Sequence, residues 1–418
     1  MLIINGMPLF AGLGGLGIVL TYFFNGKETL VNLFIDPLGR LTQNDMLLPI
    51  PFFTIMGYII ARSKAPERFV RLFQFLIQHV FGRTAFSVGI MAIVVSALFT
   101  PLTGASGITI VAIGGILMPM LASVKYPMNL RLGIITSSGS LGLLFFPSIP
   151  VIIYGIVSNN KVSITDLFRA GILPGILLII LPSVYVIIKA GNIKTSLKPV
   201  AFSEIQKDLK KSFLEFLILP LMYFLFMSGK ITVSEIGLVG LLYFFILEFI
   251  IFKEINKENF FELISESVSV TGGILIIIFF ATSFTSFMID FQVPQKLFIW
   301  IQNYIQSKWT FLIFLNFFLL IVGSLMDIFS AIIVVAPLVI PIAELYGINM
   351  IHLGILFLTN LEIGYLTPPV GMNLFLSAFR FKIPMVQIYK AILPFMFIMI
   401  LAQLIITYVP QLSLFLVN

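Results

Sequence analysis

Long apolar runs occupy most of the chain, and polar residues are confined to the short segments between them. Nine runs are long enough to cross a bilayer as helices, which takes about 17–25 residues. They are 7–24, 46–62, 129–158, 168–190, 212–229, 232–253, 267–289, 351–379 and 386–412. The pattern predicts a helical membrane protein, and the first run is expected to be a retained helix.

Two longer apolar stretches, 84–122 and 308–345, are interrupted by small and polar residues at 101–107 and 323–327. Each half is expected to be long enough for only part of a bilayer, which predicts two re-entrant hairpins. Their polar tips would be buried in protein or line a water-filled cavity. The alternative for each stretch is two ordinary crossings joined by a short turn.

The segments between the runs predict interfacial elements and one linker. Segments 63–82 and 290–307 mix charged and apolar residues at helical spacing, as helices lying in a membrane interface do. Segment 191–211 is short and basic, which favours a cytoplasmic linker over a domain.

Composition supports the membrane assignment and excludes several kinds of site. Hydrophobic residues make up 59% of the chain and charged residues 10%, too little charge to cover a soluble surface. There is no cysteine and there are two histidines, which excludes disulfides, thiolate metal sites and a His-rich metal site. The net charge of +7 is scattered between apolar runs, so we expect no nucleic-acid partner.

Basic residues predict the orientation of the chain. With the N-terminus in the cytoplasm and both hairpins returning to their own side, 18 of the 25 Lys and Arg residues lie inside. This asymmetry obeys the positive-inside rule. The C-terminus is then expected on the outer side.

The two halves of the chain resemble each other at an offset of about 221 residues. Pro147 matches Pro368, and residues 168–174 (FRAGILP) match 389–394 (YKAILP). The order helix, helix, interfacial helix, hairpin, broken helix, helix also repeats, with an odd number of crossings between matched elements. This predicts two inverted repeats, 1–190 and 212–418, as in many secondary transporters.

Each repeat contains a membrane run broken by proline, glycine and hydroxyl residues. The breaks are 136–142 with 146–150 in run 129–158, and 359–364 with 367–371 in run 351–379. Unwound backbone and hydroxyl groups supply oxygen ligands for Na⁺, and the restarting half-helices present positive N-termini to anions. The breaks therefore favour cation-coupled uptake of a carboxylate over mild kinking of packed helices.

Two carboxylates, Asp327 and Glu362, fall inside these breaks. A carboxylate within a membrane segment is costly and is a functional candidate by default. Asp327 could bind Na⁺, carry a proton or cap the helix that follows it. Glu362 could have such a role or be solvated beside an aqueous cavity.

Five segments together resemble the large membrane subunit of tripartite ATP-independent periplasmic (TRAP) transporters. They occur in the family's order over nearly the whole chain: 103–107 (TGASG), 141–149 (LGLLFFPSI), 167–175 (LFRAGILPG), 323–327 (GSLMD) and 366–374 (LTPPVGMNL). Phe146 stands before Pro147 where many relatives have a second proline.

The resemblance implies an elevator-type transporter whose moving domain holds the hairpins and broken helices. It implies Na⁺ sites where hairpin tips meet helix breaks. The first would use Thr103, Gly104, Ser106, Ser137, Ser138, Ser140 and Gly142, and the second Ser324, Asp327, Thr359, Asn360 and Thr367. The substrate, an organic acid such as a C4-dicarboxylate or a sialic acid, would lie between the tips, near Ser106, Gly107, Pro147, Ser148, Asp327, Pro368 and Pro369.

The resemblance also implies partners: a separate small four-helix membrane subunit and a soluble periplasmic substrate-binding protein. The expected function is Na⁺-coupled import of a small organic acid across the bacterial inner membrane, without enzymatic activity. A stand-alone cation-coupled carboxylate carrier or ion antiporter, needing no binding protein, is the nearest alternative. Proton coupling through Asp327 is a variant of either. A polytopic membrane enzyme is a distant alternative, because no catalytic motif such as HExxH occurs.

Overall fold

A computed structural model describes residues 9–25, 35, 38–39, 47–159, 161–191, 193 and 202–417. Regular structure in these segments is helical throughout. Eight helices are long and apolar enough to cross a membrane. The predicted fold class, an all-helical membrane protein, is confirmed.

Eight helices of the first half are described over their full length. They are α1 (Leu9–Asn25), α2 (Pro49–Arg62), α3 (Ala65–Phe81), α4 (Ala85–Thr103), α5 (Ser106–Ser123), α6 (Met128–Ser138), α7 (Ile149–Val157) and α8 (Ile164–Ala190). Helix α3 occupies predicted segment 63–82, and its position in the membrane interface stays a prediction. Helices α6 and α7 are the two halves of predicted run 129–158, and residues 139–148 between them form a series of turns.

The second half forms ten helices. They are α9 (Phe202–Met227), α10 (Val233–Phe245, continued by π-helical Ile246–Ile251), α11 (Lys257–Asp290), α12 (Val293–Gln302), α13 (Lys308–Leu325), α14 (Ile328–Leu345), α15 (Met350–Gly364), α16 (Met372–Phe381), α17 (Met385–Tyr408) and α18 (Gln411–Leu414). The helix of predicted run 212–229 begins at Phe202, so part of segment 191–211 is helical and the rest of that segment lies mostly outside the described residues.

The two predicted hairpins are helix pairs, α4–α5 and α13–α14, each with a turn at the predicted polar tip. The four helices contain 18 or 19 residues each. At 1.5 Å per residue each is about 27 Å long, close to the thickness of a bilayer core. The expectation of shorter half-helices is therefore wrong, and the re-entrant course of the hairpins stays a prediction.

Several contacts between helices occur in corresponding pairs in the two halves of the chain. Within one repeat, α4 packs on α6, and in the other α13 packs on α15. Between repeats, α5 packs on α16 while α14 packs on α7, and α6 packs on α17 while α15 packs on α8. Each contact has a counterpart when the halves are exchanged, as two structurally related repeats require. The inverted orientation of the second repeat stays a prediction.

A buried ionic cluster joins helix α3 to α9, to the π-helical end of α10 and to the segment that follows it. Arg68 is 2% exposed and donates from Nε to both carboxylate oxygens of Glu215 at 3.0 Å, and from Nη1 to Glu254 Oε1 at 2.6 Å. Glu248 lies 3.6 Å from Arg68, and Lys211 lies 3.4 Å from Glu254. Burial alone would raise the pKa of the Glu254 carboxyl, but hydrogen bonds from Arg68, the Lys64 backbone and Lys211 lower it.

Replacing Arg68 with alanine should destabilise the protein by about 3–5 kcal/mol, because it leaves three buried carboxylates without their guanidinium. Arg71, one turn along the same helix, is half exposed and lies 4.0 Å from the exposed Glu67. Its replacement by alanine is the control, with an effect of at most about 1 kcal/mol. Thermal unfolding of both variants in detergent tests this, and equal unfolding midpoints would contradict it.

Candidate functional site

The tip of the first hairpin lies against the first helix break, as predicted. Thr100 Oγ1 donates to the carbonyl oxygen of Gly139 at 2.9 Å. Gly142 approaches the hairpin so closely that a Cβ there would lie 2.0 Å from the carbonyl oxygen of Ala97. At the tip, Gly104 ends α4 with a φ of 68°, a left-handed conformation that suits glycine.

The predicted hydroxyl ligands of this region are all buried. All of them except Ser106, which donates to the Asn373 side chain, bond to nearby backbone. Thr103 Oγ1 bonds to the carbonyl oxygens of Thr100 and Ala105 at 3.0 and 3.1 Å. The hydroxyls of Ser137, Ser138 and Ser140 donate to carbonyl oxygens three residues earlier, at 3.3–3.5 Å. Tip and break thus bring four uncharged hydroxyl groups into a buried region, a chemistry that suits Na⁺.

The second hairpin meets the second break in the same way. A Cβ added to Gly364 would lie 2.6 Å from the Cα of Gly323. The backbone N–H of Gly371 donates to the carbonyl oxygen of Ser324 at 3.0 Å. Thr367, in the break, donates its hydroxyl to the carbonyl oxygen of Ile363 at 2.9 Å. Ser324 and Thr367 are therefore brought to one junction, as predicted.

Asp327 caps helix α14, which is one of its three predicted roles. Its Oδ1 accepts from the backbone N–H of Ser330 at 3.0 Å, and its Oδ2 accepts from the Ser330 hydroxyl. The backbone N–H of Ile328 donates to the Tyr365 hydroxyl. Capping leaves lone pairs on both carboxylate oxygens, so it is compatible with a cation role.

Thr359 and Asn360 do not bond to the second hairpin tip. The Thr359 hydroxyl donates to the carbonyl of Ile355 at 2.8 Å, within its own helix. Asn360 Nδ2 donates to Asn316 Oδ1 of α13 at 2.6 Å, and Asn316 Oδ1 also accepts from Gln403 of α17 at 2.9 Å. Asn360 therefore belongs to a buried polar network between α13, α15 and α17, whereas the Thr359 hydroxyl bonds within α15.

Glu362 is fully buried, which overturns the alternative that it is solvated beside an aqueous cavity. Neither of its carboxylate oxygens has a hydrogen-bond partner among the described residues. It lies on α15 two residues before Gly364, at the contact with the second hairpin.

A cavity of about 530 Å³ lies between the two hairpin tips. We name it the tip cavity. Helices α2, α11 and α16, together with Tyr365 of the second break, form its remaining wall. Its lining residues are Tyr58, Ala61, Arg62, Ala105, Ser106, Gly107, Ile108, Val111, Ala112, Glu266, Val270, Asp327, Ile328, Phe329, Tyr365, Met372 and Leu376. The first residues of three helices, α5, α14 and α16, are among them, so three positive helix ends meet at one cavity.

Of the predicted substrate residues, Ser106, Gly107 and Asp327 line the tip cavity. The four proline-break residues do not. Pro147 and Ser148 are buried at the start of α7, and the Ser148 hydroxyl has no partner among the described residues. Pro368 is partly buried and Pro369 is exposed. Cis peptide bonds precede Pro147 and Pro369.

Sequence analysis missed four residues of the site. Arg62 and Glu266 lie on the cavity wall contributed by α2 and α11, and Tyr365 lies beneath the second tip. Asn373 is fully buried and accepts a hydrogen bond from the Ser106 hydroxyl at 2.7 Å. Asn373 lies in the motif 366–374. Its hydrogen bond to a residue 267 positions away leaves no local signal in the sequence that would identify it as a site residue.

Comparisons place this architecture among known transporters. Residues 1–412 match the family described as tripartite ATP-independent periplasmic transporter, DctM component. The C4-dicarboxylate TRAP transporter large permease protein DctM of Pseudomonas aeruginosa is 31% identical, covering 97% of this chain and 93% of that protein. The sialic acid TRAP transporter large permease protein SiaM of Vibrio cholerae is 28% identical, covering 99% and 96%. The solved Alcanivorax borkumensis YdaH transporter has the same fold, with a TM-score of 0.57 at 15% identity over 96% and 97% of the two chains.

Proposed function

Since the chain belongs to the tripartite ATP-independent periplasmic transporters, as their DctM component, we propose that it imports a small organic acid by coupling to Na⁺. The observation that carries the proposal is the tip cavity, where both hairpin tips and three helix N-termini meet. We propose an elevator-type movement in which hairpins and broken helices carry this cavity along the wall formed by α2 and α11.

The helix ends around the tip cavity suit a carboxylate. Helix α5 begins at Ser106 after Ala105, whose side chain provides no cap, and α16 begins at Met372 after Gly371, again without a side-chain cap. Uncapped N–H groups at a helix start bind anions without a buried cation. A substrate carboxylate would take the place of the missing caps.

Sodium sites at the junctions of tips and breaks are the second part of the proposal. Among the described residues there is no group of three or more His, Asp or Glu side chains that could hold a metal. The ligands would therefore be hydroxyl and carbonyl oxygens around Thr103 and Ser137 at the first junction. At the second, Ser324 and Thr367 would be joined by the carboxylate of Asp327. Hard oxygen ligands of this kind suit Na⁺ in broken-helix transporters.

We further propose that the chain works with a small membrane subunit and a periplasmic substrate-binding protein, as the family name implies. The protein is a multi-pass protein of the bacterial inner membrane, and we propose a cytoplasmic N-terminus and a periplasmic C-terminus. Because the family is one of transporters, we propose transport without an enzymatic reaction. The stand-alone carrier and proton coupling through Asp327 remain the rivals that experiment must separate.

Uptake into proteoliposomes tests the proposal. The chain is reconstituted with its small subunit, and labelled succinate, N-acetylneuraminate and 4-methylbenzoate are supplied separately. At least one acid should accumulate only with an inward Na⁺ gradient and only with the binding protein present. A K⁺ gradient of equal size is the control.

Three results would contradict the proposal. Uptake without the binding protein would favour the stand-alone carrier. Uptake driven by a proton gradient in the absence of Na⁺ would favour proton coupling. Accumulation of none of the acids under any gradient would overturn the function.

A further inference from the structure

The charge and lining of the tip cavity point to a narrower substrate class than the names of the relatives suggest. We propose that the cavity takes a monoanion with an apolar body, and that Glu262 and Glu266 exclude dianions by neutralising Arg62. The inference rests on the proposed function and names the substrate of that same site.

One anion position is built into the cavity. Ser106, the first residue of α5, and Asn373, the second residue of α16, are hydrogen-bonded at 2.7 Å, so two uncapped helix N-termini are held side by side. The Asn373 side chain is fully buried, and its Nδ2 has no partner among the described residues. Asn373 does not itself line the tip cavity, so its role is to position the Ser106 hydroxyl, and a carboxylate beside Ser106 would accept from the helix ends.

The third helix end does not provide a second anion position. Helix α14 already carries Asp327 as its cap, and the carboxylate accepts from the N–H of Ser330. The N–H of Ile328 donates to Tyr365. A second substrate carboxylate at this end would find these two backbone donors already occupied by Asp327 and Tyr365.

The one guanidinium on the described wall is also occupied. Arg62 Nη1 donates to Glu262 at 3.0 Å and Nη2 to Glu266 at 2.6 Å, so one positive charge faces two negative ones. No lysine lines the cavity within the described part of the chain. A dianion would therefore bring its second charge to a wall that is negative overall, an arrangement that discriminates by repulsion.

The rest of the wall is apolar, which sets the character of the substrate's body. Aliphatic and aromatic side chains from the two hairpins, α11 and α16 form it: Ile108, Val111, Val270, Ile328, Phe329, Met372 and Leu376. A polyhydroxylated body would lose its water there without replacement hydrogen bonds, which is unfavourable. An aryl or alkyl body would instead bury apolar surface.

Binding of size-matched acids to the purified full-length chain in detergent, with Na⁺ present, tests the inference. 4-Methylbenzoate carries a methyl group at the ring position where terephthalate carries its second carboxylate. Gluconate supplies a monoanion with a polyhydroxylated body. Calorimetric titration should give 4-methylbenzoate a Kd at least about tenfold lower than either competitor, as expected for one uncompensated charge or several unpaired hydroxyls.

A double variant tests the role of the two glutamates. Glu262→Gln with Glu266→Gln frees Arg62 and should improve terephthalate binding by at least about tenfold, while 4-methylbenzoate binding changes by less than about threefold. The matched control is Glu67→Gln with Glu344→Gln. These exposed glutamates pair with Arg71 and Lys161, away from the cavity, so the control removes the same charge without effect on either ligand.

The outcomes separate this inference from the proposed function. Ala112→Trp fills the tip cavity and should abolish binding of 4-methylbenzoate. If terephthalate or gluconate binds as tightly as 4-methylbenzoate and Ala112→Trp abolishes that binding, the site is right and the substrate class is wrong. If terephthalate gains nothing in the Glu262/Glu266 variant, the exclusion mechanism is wrong. Absence of binding by all three acids overturns the substrate class inferred here, whereas the proposed function falls only if succinate and N-acetylneuraminate also fail to accumulate in the proteoliposome test.

Discussion

Replacing Gly142 with alanine is expected to reduce Na⁺-driven uptake by at least about tenfold. The added Cβ would lie 2.0 Å from the carbonyl oxygen of Ala97 and 2.8 Å from Cδ of Pro101, both in helix α4 of the first hairpin. A backbone oxygen cannot move aside by a rotamer change, so the whole hairpin must shift away from the first break. Overpacking of this kind costs about 1–3 kcal/mol, which is enough to misplace the junction without unfolding the protein.

The matched control is Gly272→Ala in helix α11, where an added Cβ meets nothing within 4 Å. Alanine in a helix interior is favoured over glycine by up to about 1 kcal/mol, so this variant should fold and transport normally. A second variant, Gly364→Ala, should behave like Gly142→Ala. Its Cβ would lie 2.6 Å from the backbone of Gly323 at the other junction.

We test this expectation by measuring uptake rates in proteoliposomes and thermal unfolding on the same preparations of each variant. Gly142→Ala and Gly364→Ala should lose transport while keeping a cooperative unfolding transition. Transport within about twofold of the unmodified protein in either variant would show that the close contact at that junction has no role in the transport cycle.

Sequence alone predicted where the helices break, because the signals are local. Prolines, glycines and hydroxyl residues interrupt an otherwise apolar run at the position where the backbone cannot continue as a helix. The first break, predicted from 136–142 and 146–150, lies at 139–148. The second, predicted from 359–364 and 367–371, lies at 365–371. The predictions are wrong for 136–138 and 359–364, which are still helical because serine, threonine and asparagine alone do not end a buried helix. The first hairpin turns at Gly104 within the predicted tip 101–107. The junction of Gly323 with Gly364 also agrees with the predicted pairing of tip and break.

Sequence alone could not predict which side chains face one another across helices. Asn360, predicted to lie at a hairpin tip, bonds to Asn316, and Ser106 bonds to Asn373 in the other repeat. Such pairs depend on helix rotation and on contacts between distant segments, which apolar periodicity does not specify. Arg68 shows the same limit: nothing in segment 63–82 indicates that this residue is buried beside Glu215, Glu248 and Glu254, which come from distant segments.

Replacing Asp327 with asparagine should raise the half-saturating Na⁺ concentration for uptake by at least about tenfold, or abolish Na⁺ dependence. Asparagine is as good a helix N-cap as aspartate, so the N–H of Ser330 keeps its partner and α14 keeps its start. The substitution therefore removes the charge while retaining the cap. Loss of a carboxylate ligand weakens the binding free energy of a cation by at least about 1.4 kcal/mol, which corresponds to a tenfold lower affinity.

Two further variants separate the ion-binding role from capping. Asp327→Ala removes charge and cap together and should lower stability by about 0.5–2 kcal/mol more than asparagine does. Ser330→Ala removes the hydroxyl that donates to Asp327 Oδ2 but keeps the capped N–H, so it should leave Na⁺ dependence close to that of the unmodified protein. If Asp327→Asn shows unchanged Na⁺ dependence while Asp327→Ala is destabilised, Asp327 is a cap alone. If Asp327→Asn instead removes a pH dependence that the unmodified protein shows without Na⁺, Asp327 carries a proton, and the coupling ion must be revised.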